Sequence, residues 1–293
     1  MTSTESAARR YRGIEGWPTE DLVGAMVEAQ MAAVAALGPA SGALARAVDA
    51  AAERIGRGGR LLYLGAGTSG RLATLDAAEL PPTYGFPAER ARAFIAGGAR
   101  AITHAVEGAE DDGAAGIAAL TGAGMGPDDV VIGVAASGRT PFVVEAVRHA
   151  RAAGVLTVAV LNNPAGALAE AAEIPIVAAT GAEIVAGSTR MKAGTAQKAA
   201  LTCLSTGIFV RLGYVWRGRM VEMGPTNDKL RERAERMVAD LADVHPEEAR
   251  EALARAHGSI KVALVTLEKG CDPAEAQRLL DEAGGRLPSV LGA

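Results

Sequence analysis

The sequence predicts an α/β protein: a doubly wound parallel sheet in a three-layer αβα arrangement, with N-terminal helices and a small C-terminal helical domain. Three observations predict it. Short apolar runs recur at 60–65, 92–96, 130–135, 155–160 and 174–178, as expected of strands buried on both faces. Helical stretches at 70–79, 112–121 and 140–153 lie between most of them, and that alternation builds a parallel sheet covered on both sides. From about residue 226 the chain is charged and helical, with no strand-like run.

Taken in order, residues 1–17 read as an irregular arm. Thr19-Glu20-Asp21 opens a helix, with Thr19 as its cap and two acids at the positive end of the dipole. Leu22, Met26, Gln30, Ala33 and Ala36 continue one face as far as Gly38. A second helix runs from about Ser41 to Ile55 and stops at Gly56. After the strand units, a long helix is expected from Ser188 to Leu212. The C-terminal part holds a repeat. Pro246-Glu247-Glu248-Ala249 leads to Leu253, Ala256 and Gly258, and Pro273-Ala274-Glu275-Ala276 leads to Leu280, Ala283 and Gly285. Pro at a first helical position and Gly at a helix end mark both ends of each copy. The chain thus divides into an arm and helices (1–55), a ligand-binding sheet domain (56–225) and a small helical domain (226–293).

Composition excludes several classes. A chain of 293 residues, 49% hydrophobic, has the material for a sizeable core. Its formal net charge is −4 with no basic cluster, which argues against a nucleic-acid partner. Cys203 and Cys271 are too few for a disulfide framework and have no metal-type spacing, so a reducing cytoplasm is the expected compartment. The histidines are scattered, and no metal or organic cofactor is assigned. Charges at Glu5, Arg9, Arg10 and Arg12 exclude a secretory signal, and no uninterrupted apolar stretch nears bilayer-spanning length, so no membrane partner is expected.

The chemistry begins at a turn used twice. Leu61–Leu64 ends in Gly65-Ala66-Gly67-Thr68-Ser69-Gly70-Arg71, and Val130–Val134 ends in Ala135-Ala136-Ser137-Gly138-Arg139-Thr140-Pro141. Each turn aims backbone N–H groups and hydroxyls at a helix start, where the dipole favours an anion. Two such turns in one sheet point to a phosphorylated small molecule, with Thr68, Ser69, Ser137 and Thr140 as its ligands. Helix capping is the plainer role for Ser137 and Thr140. Gly65, Gly67 and Gly70 also match the dinucleotide fingerprint. Its required acid would be Glu89, which Pro87, Arg90 and Arg92 make a poor strand end.

Three further segments carry charge in unusual places. Glu79 precedes Pro81-Pro82, expected to end its helix, and a carboxylate at a helix C-terminus is pushed towards holding its proton. Glu107-Gly108-Ala109-Glu110-Asp111-Asp112 follows the turn Ala96-Gly97-Gly98 and is expected at the sheet edge that carries the phosphate turns. Gly187-Ser188-Thr189 is expected to cap the long helix, with Arg190 and Lys192 in its first turn.

The run GAGTSGRLATLDAAELPPTYG (65–85) resembles the N-acetylmuramic acid 6-phosphate etherases, of the sugar isomerase (SIS) fold group. So do AVEGAEDD (105–112), AASGRTPFV (135–143) and TGAEIVAGSTRMKAGTAQK (180–198). The resemblance implies a SIS-like fold and a cytoplasmic, homodimeric enzyme of peptidoglycan recycling. Its reaction would cleave the D-lactyl ether of N-acetylmuramic acid 6-phosphate to N-acetylglucosamine 6-phosphate and D-lactate. The family's catalytic carboxyls map by motif onto Glu79 and Glu110, with Glu107 in the same motif as Glu110. A sugar-phosphate isomerase and a sugar-phosphate sensor are the rival readings. Release of lactate separates the first rival; room for only one sugar-binding domain weighs against the second.

Overall fold

The computed structural model describes residues 3–224 and 227–292. The sequence boundary at 225/226 falls outside the described residues. Two compact units are present: one holds the chain up to Ala78 together with Ala88–Gly207, the other holds Glu79–Pro87 and the chain from Ile208 onward.

The first unit is built on five parallel strands: β1 (Leu61–Gly65), β2 (Ala91–Ile95), β3 (Val130–Ala135), β4 (Leu156–Leu161) and β5 (Ile174–Val177), in the order β2-β1-β3-β4-β5. β1, β3 and β4 are buried along their whole length. That is why they read as continuous apolar runs, whereas the edge strands β2 and β5 alternate with exposed or half-buried positions. Leu61 pairs with Ala91 on one side and with Val130 on the other. The chain passes from β1 out to β2, then crosses back over β1 to β3. Its order therefore reverses between β1 and β3.

Helices α1 (Thr19–Ala35) and α2 (Ser41–Gly56) precede the sheet. Within and after it come α3 (Gly67–Tyr84), α4 (Arg100–Thr103), α5 (Gly113–Gly122), α6 (Pro141–Ala152), α7 (Ala167–Ala171) and α8 (Lys192–Arg211). One face of the sheet packs Leu62, Leu64, Val131 and Leu161 against Leu120 of α5, Val143 and Val147 of α6 and Leu168 of α7. The next residue along β1, Tyr63, points to the other face. There its hydroxyl donates to Asp76 Oδ2 of α3 (2.9 Å), while Ser205 of α8 donates to Asp76 Oδ1 (3.1 Å).

Three helix ends differ from the sequence expectation. Pro18, not Thr19, occupies the N-cap of α1, and no side chain caps it. α3 does not stop at the prolines: it carries Pro81 and Pro82 inside it and ends at Tyr84. Tyr84 stacks on Phe209 at 4.4 Å between ring centroids, and that packing offsets the amide hydrogens the prolines lack. α8 begins at Lys192 rather than Ser188. Residues Thr19–Gly56 also include an 18-residue window of mean hydropathy 1.4, which qualifies the expectation that no segment nears spanning length. The segment is two helices joined at Gly38–Ala40, and Ala33 of α1 packs against Ala178 and Ala196 of the sheet unit.

The second unit contains the hairpin of β6 (Val215–Trp216) and β7 (Arg219–Met220), then α9 (Asp228–Ala242), α10 (Pro246–Arg255), α11 (Ile260–Lys269), α12 (Pro273–Glu282) and α13 (Leu287–Leu291). The repeat is physical. Helices α10 and α12 both start at a proline, and each is closed by a positive-φ glycine. Gly258 N–H donates to Leu253 O and Gly285 N–H to Leu280 O, the same bond in both copies.

Candidate active site

The two hydroxyl-bearing turns leave the carboxyl ends of β1 and β3, neighbouring strands on either side of the reversal. Open α/β sheets bind ligands at such a switch point. The glycines of the first turn are sterically required. A Cβ on Gly70 would lie 2.8 Å from Gly65 O and 2.6 Å from Ile95 Cγ1, so only glycine lets α3 start this close to β1.

The four hydroxyls have different duties. The Thr68 hydroxyl makes no hydrogen bond among the described residues. Thr140 is the N-cap residue of α6 but makes no side-chain cap, so its hydroxyl is not committed to the helix. Ser137 Oγ accepts from Arg139 N–H at 3.2 Å and keeps its own proton to donate. Ser69 is buried, and its Oγ lies 2.9 Å from Gln197 Oε1. Gln197 Nε2 donates to Asn162 Oδ1 (3.0 Å), and Asn162 Nδ2 donates to Ala178 O (3.0 Å). The Ala178 carbonyl can only accept, which fixes both amides and makes Ser69 a donor to Gln197. Sequence reasoning missed Gln197 and Asn162. The available signal was a glutamine on the α8 face that otherwise buries Ala193, Ala196, Ala200 and Leu201.

A cavity of about 200 Å³ opens beside the first turn. Ala66 and Gly67 line it from the end of β1, Ala96 from the end of β2, and Arg71, His104, Glu107 and Glu110 bring the polar side chains of its wall. The acidic cluster therefore does lie on the edge that carries a phosphate turn. Glu110 sits in the short 3-10 turn Ala109–Asp111, and Asp112 caps α5 by accepting from Ala115 N–H at 2.9 Å. Glu107 and Glu110 are exposed, and neither makes a hydrogen bond or ion pair among the described residues. Arg71 Nε donates to Ile102 O (2.8 Å) and Nη2 to His104 O (3.2 Å).

Glu79 is exposed on α3, next to the buried Leu80, and belongs to the second unit, whereas the cavity is lined from the first. Because α3 continues to Tyr84, the dipole's effect, confined to the last turn, falls on 81–84 rather than on Glu79. The expected cap at Gly187-Ser188-Thr189 is supplied instead by Glu183. This buried carboxylate accepts from Lys192 N–H and Ala193 N–H, both at 2.9 Å. Among the described residues no group of three His, Cys, Asp or Glu side chains could hold a metal ion.

A 2-1-3-4-5 parallel sheet with hydroxyl-bearing turns at its switch point defines an α/β domain of the SIS type. Two family models match it: the glucokinase regulatory protein N-terminal SIS domain over residues 43–151 and the SIS domain over 112–206. Among solved structures, a candidate phosphosugar isomerase involved in capsule formation from Bacteroides fragilis matches with a TM-score of 0.52 and 20% identity, over 66% of this chain and 91% of that one. A candidate sugar-phosphate isomerase from Listeria monocytogenes matches with a TM-score of 0.51 and 16% identity, over 67% and 92%. At those identities the likeness concerns the fold. Full-length relatives are more specific. The N-acetylmuramic acid 6-phosphate etherase of Deinococcus radiodurans is 48% identical over 99% of this chain and 95% of its own. That of Symbiobacterium thermophilum is 54% identical over 78% and 75%. The chain belongs to the N-acetylmuramic acid 6-phosphate etherase family.

Proposed function

We infer that this protein is a carbon–oxygen lyase that cleaves the D-lactyl ether of N-acetylmuramic acid 6-phosphate, giving N-acetylglucosamine 6-phosphate and D-lactate in peptidoglycan recycling. The observation that carries this reading is 48% identity to an etherase along almost the whole chain. The setting is the cytoplasm, where phosphorylated sugars are retained.

An alkyl ether resists hydrolysis because alkoxide leaves poorly. In the open-chain sugar, C1 is an aldehyde, C2–H is acidified, and the ether oxygen on C3 lies β to the carbonyl. A base removes the C2 proton, lactate departs as its oxygen is protonated, and water adds to the unsaturated aldehyde at C3. Two carboxyls in opposite protonation states suffice. Glu110 takes the C2 proton; Glu79 protonates the departing oxygen and then deprotonates the incoming water. Thr68, Ser69, Ser137 and Thr140 surround the 6-phosphate, whose binding energy positions C2 and C3. Ser69, its proton held by Gln197, serves through its backbone N–H and by shaping the turn.

The enzyme acts as a homodimer. Val23, Val27, Met31 and Val34 form an exposed apolar stripe on α1, which supports that reading. The spacing of Ser69 and Glu79 on α3 supports a site completed by the second copy.

The test is incubation with N-acetylmuramic acid 6-phosphate in H₂¹⁸O. Label at C3 of the sugar with unlabelled D-lactate is the expected result; label in lactate alone would indicate direct displacement. Glu110→Gln and Glu79→Gln should each lower lactate release by roughly 10²–10⁴-fold, the usual size of general acid–base contributions, while far-UV circular dichroism stays unchanged. Near-normal turnover by either variant would remove that residue from its role.

A further inference from the structure

The substrate proposed above carries two anionic groups, and the hydroxyl-bearing turns account for only one. The lactyl carboxylate needs its own recognition, because the ether oxygen it accompanies sits on C3, beside the carbon whose proton Glu110 takes. The cavity wall beside Glu110 also carries Glu107. Two carboxylates would repel a third unless a cation stood with them. That wall also carries the His104 imidazole, but the side chain in it that is charged at every working pH is Arg71.

Arg71 is held in a specific way. A guanidinium has two edges able to bind two acceptors at once. The edge formed by Nε and Nη2 is already occupied by the carbonyls of Ile102 and His104, at 2.8 and 3.2 Å. These two bonds lock the guanidinium against the C-terminal end of α4. The other edge, Nη1 with the outer N–H of Nη2, has no partner among the described residues. It forms no ion pair with Glu107 or Glu110, although all three line the same cavity. A fixed planar fork with one free edge, set among unpaired acids, is arranged for a carboxylate that arrives with the ligand.

We propose that Arg71 binds the lactyl carboxylate of the substrate and thereby selects 3-O-lactyl sugars over 3-O-alkyl ethers without a charge. This rests on the etherase reading and deepens it. It also gives the guanidinium a role through the reaction: the carboxylate stays bound as the C3–O bond breaks, so lactate leaves as an already paired anion.

The experiment compares two substrates within each protein: N-acetylmuramic acid 6-phosphate and its lactamide analogue, in which the carboxylate is a neutral carboxamide of the same size. The readout is the ratio of their kcat/KM values. Because both rates come from one preparation, partial misfolding or loss of active enzyme cancels in the ratio. The wild type is expected to prefer the carboxylate by about 30-fold or more. In Arg71→Gln, whose amide N–H groups can still serve one carbonyl, and in Arg71→Met, the ratio should fall to within about threefold of unity, chiefly through KM for the acid. Arg71→Lys should give an intermediate ratio. If both rates fall together and the ratio stays at its wild-type value, Arg71 only supports the turn or Glu110, and the proposal is overturned. If the wild type cleaves both substrates equally well, it is overturned directly. If the wild type cleaves neither, the etherase reading itself has failed, a result distinct from the other two.

Discussion

At the scale of single residues, two aspartates, Asp76 half-buried and Asp129 buried, show how position sets the sign of a carboxyl's contribution. Burial pushes the Asp76 carboxyl above the usual carboxylate range, against the opposing effects of Tyr63, Ser205 and the Lys198 charge. Burial acts in the same direction at Asp129. There the Arg60 guanidinium, with N–H groups of Gly126 and Arg60, outweighs it and holds the carboxyl below its ordinary value. The consequences for folding run in opposite directions. Asp76 binds its proton more readily in the folded than in the unfolded chain. Its contribution is therefore fully present below about pH 4 and is lost as pH rises through its raised folded value. Asp129 contributes above about pH 4 and loses that contribution as pH falls through its depressed value. Urea midpoints across pH should show Asp129→Asn falling further below wild type as pH rises, and Asp76→Asn gaining on wild type over the same climb. Differences that slope the same way would contradict these assignments. Asp76→Ala should cost about 1–3 kcal/mol where the carboxyl is protonated, because it strands the fully buried Tyr63 hydroxyl, and that cost should shrink as pH rises.

Elements were legible where burial left a periodic trace, and their ends were not. The central strands appear in the sequence within a residue of their observed limits because each is apolar on both faces. The end of α3 was misread because Pro81-Pro82 is a strong local signal that the Tyr84–Phe209 stack, distant in sequence, overrides. The start of α8 was misread because its cap, Glu183, lies nine residues before the first N–H it receives. Of the site, the two turns and the acidic cluster could be read locally, while Gln197, Asn162 and Arg71 take their meaning from partners supplied by other segments. α1 is ambiguous for a different reason: apolar residues surround it. Ala25, Ala29 and Ala33 are buried, yet Val23, Val27, Met31 and Val34 are exposed. Sequence alone does not separate a core face from an interface. Met31 is 66% exposed in the single chain, so Met31→Glu should leave stability nearly unchanged but convert the proposed dimer to monomer in sedimentation velocity. A variant that stays dimeric would remove α1 from the interface.

At the scale of the whole molecule, helix geometry bears on which chain supplies each carboxyl. Ser69 and Glu79 are ten residues apart on one continuous helix, which amounts to about 15 Å of rise. In the sugar, five bonds of roughly 1.5 Å each join phosphorus to C3, so the two are no more than about 7.5 Å apart. A phosphate held at the first turn of α3 therefore keeps C3 towards that end of the helix; an extended glutamate side chain recovers about 5 Å of the difference, so Glu79 of the same chain would meet the ether oxygen only with sugar and side chain both fully stretched along the helix. Glu110 needs no such reach, since it lines a cavity with Gly67, the first residue of α3. The proposed homodimer accommodates both carboxyls if each site combines Glu110 of one chain with Glu79 of the other. Co-expressing Glu79→Gln and Glu110→Gln chains tests this arrangement. Random pairing makes half of the dimers hybrid. In each hybrid one site would hold both unaltered carboxyls while the other holds neither. Lactate release should then recover to about a quarter of the wild-type rate, although each variant alone is nearly inactive. If both carboxyls of a site came from one chain, every site in the mixture would lack one of them, and the mixture would be no more active than its parents.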